Sequence, residues 1–186
     1  MSALQSPALP IFSLKHFDAI IRHLEQGGLL AYPTESVFGL GCLPFHQSAL
    51  AQIYALKGRE MTKTCLLVAA EISQIESWIT CPYPSLPSTP TTFLLPASDS
   101  APKHLVNVGK IAIRIASYPP LKALCRYSPL VSTSANPSGF PAAKTVAEVG
   151  QYFAGRYEGL GVVDGEVEGL ANPSQIIDAC TGERIR

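Results

Sequence analysis

The chain has 186 residues, with 14 Lys+Arg against 14 Asp+Glu, 47% hydrophobic and only 15% charged. That suits one domain over residues 1–186 with a buried core, and it excludes a disordered or highly charged tail protein. The neutral total hides an asymmetry: residues 57–126 carry 8 basic and 4 acidic groups, residues 127–186 carry 4 and 7. This points to a polarised surface or a cationic pocket, not to the dominant basic footprint of a duplex-coating protein.

Ser13 precedes an amphipathic stretch with Leu14, Phe17, Ile20, Ile21 and Leu24 at helical spacing, stopped by Gly27-Gly28. Leu29-Leu30-Ala31-Tyr32 reads as a buried strand closed by Pro33. A second helix fits Ser48 to Lys57, a strand fits Cys65 to Val68, and Ile72 to Ile79 suits a short helix. Residues 80–91 contain four prolines and must be loop, since proline lacks a backbone N–H and restricts the residue before it. Phe93-Leu94-Leu95 follows as a strand. In residues 110–116, Ile111, Ile113 and Ile115 alternate with Ala112, Arg114 and Ala116, the pattern of a half-buried strand with an arginine on its second face. A proline-led helix over Pro119 to Arg126, a strand at Pro129-Leu130-Val131 and a Thr145–Glu148 capping box come next. Short strands at Val162-Val163 and Ile176-Ile177, then a Thr181-Gly182 turn before Arg184-Ile185-Arg186, complete an α/β domain with one twisted sheet and flanking helices.

No apolar run approaches the ~18–20 residues that span a bilayer. Met1-Ser2-Ala3-Leu4-Gln5-Ser6 lacks the basic start and apolar stretch of a signal peptide. A cytoplasmic protein with no membrane partner is expected. The cysteines Cys42, Cys65, Cys81, Cys125 and Cys180 stand singly without a C-x-x-C pair, which argues against a disulfide framework or a zinc site. Each reads as a small buried hydrophobe, Trp78 as a packing residue, and the four histidines show no metal-ligand spacing.

Three polar segments follow apolar ones: Pro33 to Gly41, Lys57-Gly58-Arg59-Glu60-Met61-Thr62-Lys63, and Ser132-Thr133-Ser134-Ala135-Asn136-Pro137-Ser138-Gly139. Taken alone, the second could complement a helix C-terminus and the third could be an ordinary turn. Together, fixed cations beside short hydroxyls suit a polyphosphate. Both G-x-x-x-x-G-K-[ST] and G-x-G-x-x-G are absent, so a nucleotide site here is of another kind. Without G-x-S-x-G, nothing supports a serine hydrolase.

Tyr32-Pro33-Thr34-Glu35 with Phe38-Gly39-Leu40-Gly41-Cys42 resembles the opening signature of the threonylcarbamoyl-AMP synthases of the TsaC/YrdC type. Lys57-Gly58-Arg59, Ser134-Ala135-Asn136 and Asn172-Pro173-Ser174-Gln175-Ile176-Ile177-Asp178 resemble their later motifs, in the same order. The likeness covers roughly residues 14–186 and is to the short, single-domain form. It implies a YrdC-like fold, a twisted mixed parallel and antiparallel sheet with a concave, positively charged face. It also implies a nucleotidyltransferase that forms L-threonylcarbamoyladenylate and pyrophosphate from ATP, L-threonine and bicarbonate, for tRNA modification. By the same resemblance, Lys57, Arg59 and Lys63 hold the triphosphate and Lys57 and Arg59 carry the catalysis. Ser134, Asn136 and Arg186 contact the nucleotide. Thr34, Ser132 and Ser174 hold the amino acid, with Arg114 paired to its carboxylate; the sequence alone reads Arg114 as an ordinary arginine on a solvated face. Mg2+ accompanies ATP without protein side-chain ligands, and tRNA and other tRNA-modification proteins are admitted as partners.

The segment Pro87-Ser88-Thr89-Pro90-Thr91-Thr92-Phe93 replaces the Trp-Pro-Gly-Pro-like turn of relatives, Glu168-Gly169-Leu170-Ala171 replaces a loop with an arginine or glycines, and Tyr118-Pro119 stands for His-Pro. A second reading therefore stays open at this point: a divergent paralogue without synthase activity that binds RNA or nucleotide through a basic concave surface.

Overall fold

Residues 9–60 and 63–186 are described by a computed structural model; Met1 to Ser6, Met61 and Thr62 lie outside them. In chain order the strands are β1 (Ile11–Phe12), β2 (Leu29–Pro33), β3 (Phe38–Cys42), β4 (Leu66–Ala69), β5 (Thr91–Pro96), β6 (Val106–Asn107), β7 (Lys110–Ile115), β8 (Leu130–Ser134), β9 (Leu160–Val163) and β10 (Gln175–Asp178). The helices are α1 (Phe17–Glu25), α2 (Gln47–Lys57), α3 (Pro119–Leu124) and α4 (Val146–Phe153). All ten strands form one sheet in the order β1-β9-β2-β3-β8-β4-β7-β5-β10, with β6 paired to the start of β7. Four pairs are parallel (β1/β9, β2/β9, β4/β7, β5/β10) and four along the same order antiparallel (β2/β3, β3/β8, β4/β8, β5/β7), so the sheet is mixed, as expected.

Each helix end has a chemical reason. Ser13 caps a short 3-10 turn over Leu14–His16, its hydroxyl accepting from Lys15 N at 3.2 Å, so the α-helix begins three residues after the apolar periodicity does. Thr145 caps α4 by accepting from Glu148 N at 3.1 Å. Helix α2 ends at Gly58, whose φ of +56° only glycine adopts without strain. The N–H groups of Gly58 and Arg59 turn back to the carbonyls of Ala55 and Tyr54, which closes the helix and throws Arg59 off its end.

Alternation along the strands sorts the core into two layers. One sheet face carries Ala31, Phe38, Leu40, Leu67, Ile113, Val131 and Val162 and packs against α2 and α4 through Ile53, Val149 and Phe153. The other carries Leu30, Tyr32, Val68, Leu130 and Val163 and packs against α1 and α3 through Ile20, Leu24, Leu121 and Leu124. That second cover stops short. Leu66, Ala112 and Leu94 lie on the same face in register across β4, β7 and β5, yet stay only half-buried while their core-side neighbours Leu67, Ile113 and Phe93 are buried. The uncovered half of this face is the floor of a cleft.

Several expectations change. The polar segments Pro33 to Gly41 and Ser132 to Gly139 are in part strand, as Phe38–Cys42 and Leu130–Ser134. Ile72 to Ile79 is two 3-10 turns, Ile72–Gln74 and Glu76–Trp78, not a helix. Cys42, Cys65 and Cys125 are buried as expected, but Cys81 is only half-buried and Cys180 is exposed. Trp78 is a packing residue, set edge-on to Phe45 with ring centroids 5.8 Å apart. Among the described residues no helix is long and apolar enough to cross a membrane.

Candidate active site

The polar wall of the cleft is built on β8. Its pairing with β3 sets Ser132 opposite Gly41 and Ser134 opposite Gly39. Alternation turns Val131 into the core and both serines toward the open face. Beyond the strand, Asn136 Nδ2 donates to the carbonyls of Pro137 and Phe140 at 3.0 and 2.7 Å, which folds the turn back on itself.

Lys57, the last residue of α2, reaches into this turn. It is 3% exposed, and its ammonium donates to the Ser134 carbonyl, to the Asn136 carbonyl at 2.7 Å and to Asn136 Oδ1 at 3.3 Å. The Lys57 carbonyl in turn accepts from Ser138 N at 2.7 Å. An ammonium has three N–H donors, and all three are used. The ammonium thus clamps the Ser134–Asn136 segment and keeps its charge beside it. Burial, reinforced by the neighbouring Arg59, pulls its pKa down to about 8.

Arg59 donates from Nε to the Lys63 carbonyl and from Nη2 to the Thr64 carbonyl, both at 3.1 Å. These two bonds to the main chain at Lys63 and Thr64 use two of its five donors. Lys63 is exposed and makes a 3.6 Å ion pair with Glu60, a solvated contact of little energetic weight.

Arg114 corrects the solvated reading of its strand face. It is 7% exposed, and its Nη2 donates to Glu35 Oε2 at 2.9 Å. Glu35 Oε1 accepts from Ser117 Oγ at 3.0 Å. Arg114 Nε is buried with no partner, so part of the fork remains available. Thr34, beside Glu35, closes its turn by donating from its hydroxyl to the Val37 carbonyl at 2.7 Å. The later loop lies against this turn: Glu168 N donates to the Thr34 carbonyl and Leu170 N to the Glu35 carbonyl, at 3.2 and 2.8 Å. On the far side, register sets Thr92 of β5 opposite Ile176 of β10, and Thr92 shares a 2.9 Å hydroxyl–hydroxyl bond with Ser174. Arg186 donates from Nη2 to the Ser174 carbonyl at 3.0 Å, while its own carbonyl accepts from Ile176 N at 3.0 Å. Arg186 thus braces the Ser174 segment.

The fold brings these separated groups to one face. Register sets Ser132 of β8, Arg114 of β7 and Thr92 of β5 on the same sheet face, Thr92 meets Ser174, and Lys57 holds Ser134 and Asn136 at the end of β8. On the same sheet face a hollow of ≈ 290 Å³ is lined by Thr64, Leu94, Asn107, Val108, Lys110, Ala112 and Asp178, and none of the hydroxyl or arginine groups above is among its lining residues. Of its charged residues, Lys110 escaped the sequence reading and Asp178 entered it only as the last letter of a motif. Lys110 shares the alternation of Ala112 and Arg114, so that pattern could have found it. Asp178 pairs with Lys110 across the sheet, and the pairing holds the Asp178 carboxyl below its ordinary value while raising Lys110. Glu35, quoted only as a motif letter, is the buried counter-ion of Arg114. A larger hollow of ≈ 480 Å³ lies apart from these groups, between Ile72 and Tyr83.

Cations preorganised around short hydroxyls can neutralise charge developing on phosphates, and a buried guanidinium beside hydroxyls can grip a carboxylate. The family model named for Sua5, YciO and YrdC, described as "Telomere recombination", matches residues 22–186. A threonylcarbamoyl-AMP synthase of Pseudomonas paraeruginosa is 39% identical over 175 residues, covering 89% of this chain and 93% of that protein. Another from Halorhodospira halophila is 40% identical over 193 residues, covering 97% of each. Among solved structures, P. abyssi Sua5 complexed with L-threonine superposes with a TM-score of 0.81 at 24% identity, over 94% of this chain and 55% of that one, and is a likeness of fold.

Proposed function

The chain belongs to the Sua5–YciO–YrdC family, and from that premise we propose that it is a threonylcarbamoyl-AMP synthase acting in the cytoplasm. The threonine amine attacks the carbon of bicarbonate, expelling water, or of CO2, losing a proton to solvent, and either route gives the carbamate. A carbamate oxygen then attacks the α-phosphorus of ATP, and the bond to pyrophosphate breaks. ATP enters as its Mg2+ complex, the ion held by phosphate oxygens and water. Arg59, Lys63 and Lys110 face the polyphosphate, and the Lys57 clamp presents Ser134 and Asn136 to it. Arg114 takes the threonine carboxylate on its spare donors, with Ser132, Thr34 and Ser174 around the amino acid. Positioning and fixed charge supply the catalysis, and no general base is assigned. The adenylate passes to tRNA-modifying partners.

The observation that carries this reading is the near full-length similarity to two threonylcarbamoyl-AMP synthases, joined to a buried arginine whose Nε has no partner among the described residues. The test is pyrophosphate release from ATP with and without L-threonine and bicarbonate. Release that requires both is expected. Release indifferent to them, or none, overturns the proposal.

A further inference from the structure

Among the described residues the Tyr32 hydroxyl has no partner in hydrogen-bonding geometry, and Ser132 is the hydroxyl that stands nearest to serving as one. The side chain is 1% exposed, and its oxygen is one of two buried side-chain polar atoms without a partner among the described residues; the other is Arg114 Nε. An unpaired buried hydroxyl costs roughly 1–3 kcal/mol, so a phenylalanine would pack here at lower cost.

The sheet makes room for this ring and aims it. Tyr32 pairs with Gly39, and β3 shows only glycines, Gly39 and Gly41, on the face where the ring lies. A Cβ at Gly39 would come within 2.6 Å of Tyr32 Cε2, and one at Gly41 within 2.9 Å of the hydroxyl. The ring therefore lies across β3 in a trough that only two missing side chains provide, and its oxygen ends over Gly41. The register partner of Gly41 is Ser132. Ser132 and Arg114 are the polar neighbours that favour ionisation of the phenol, yet burial outweighs them and holds its pKa well above the usual range. The hydroxyl keeps its proton and stands beside Ser132, close enough for Ser132 to act on it but outside full hydrogen-bond geometry.

We propose that Tyr32 is a positioning residue for the amino-acid substrate, donating its hydroxyl proton to Ser132 Oγ when substrate is bound and so turning the Ser132 proton into the cleft toward the carboxylate held by Arg114. The proposal rests on the reading above that Ser132 and Arg114 hold threonine. The two unsatisfied donors are then the two ends of one substrate-completed network.

The test is Tyr32→Phe, which keeps the ring in its trough and removes only the oxygen. Steady-state kinetics should show the KM for L-threonine raised about five- to tenfold, the loss expected for one hydrogen bond in such a network, with the KM for ATP unchanged. The melting temperature should be equal or higher. In a Ser132→Ala background the same substitution should add nothing, because Tyr32 acts through that hydroxyl. An unchanged threonine KM with a raised melting temperature overturns the proposal and leaves Tyr32 as packing, while wild-type threonine-dependent pyrophosphate release still stands. Wild-type protein with no threonine dependence overturns the underlying reading as well.

Discussion

Lys57 permits an experiment in which activity and stability move in opposite directions. Burial and Arg59 lower its pKa from the ordinary 10.5 to about 8. Below about pH 8 the ammonium clamps the Ser134 and Asn136 carbonyls; above it a neutral amine offers weaker donors and no charge. kcat/KM for ATP, which reports ionisations of the free enzyme, should therefore fall on the alkaline side with a midpoint near pH 8, approaching tenfold per pH unit. Stability does the reverse. The folded pKa lies below the unfolded one, so between about pH 8 and pH 10.5 the unfolded chain binds more protons and the free energy of unfolding rises with pH. The gap is worth about 3 kcal/mol at full extent. Pyrophosphate release and urea denaturation from about pH 6.5 to about pH 9.5 measure the two trends. Lys57→Arg, with a charge that does not titrate in this range, should abolish the descending limb. A flat kcat/KM through pH 9, or an unaltered limb in Lys57→Arg, would refute the clamp.

Three further outcomes are expected. Glu35→Ala strips the buried Arg114 guanidinium of its counter-ion and should destabilise the fold by about 3–5 kcal/mol in urea denaturation; a loss below about 1 kcal/mol contradicts the buried pairing. Gly41→Ala places a Cβ 2.1 Å from the Val131 carbonyl oxygen and should cost at least about 3 kcal/mol or prevent folding, so a melting temperature matching wild type would mean that the trough is wider than described. Arg186→Ala, which frees the Ser174 carbonyl, should raise the threonine KM about two- to fivefold with little change in stability. An effect on the ATP KM alone would instead return Arg186 to the nucleotide.

Strands that are apolar or strictly alternating, such as β2 and β7, were legible because burial of a sheet face imposes those patterns. The strand over Phe38–Cys42 was not, because its two glycines mimic a turn; their purpose becomes visible only when the Tyr32 ring lies over them. Ser132–Ser134 was hidden in the same way, since hydroxyl runs favour turns locally and only pairing with β3 and β4 makes this one a strand. β1 and β6, each two residues long, exist through their partners alone. At the site, motif spacing brought Lys57, Ser134, Asn136 and Ser174 into view, but not what each touches. Arg114 looked solvated because its partner Glu35 is 79 positions away, and no local pattern carries such a pairing.

The two main-chain bonds from Glu168 and Leu170 to the Thr34–Glu35 turn give the cleft a built-in gauge. Any breathing of that turn must expose two amide protons that sit some 130 residues downstream, so their deuterium uptake times the opening of the amino-acid pocket without a label inside it.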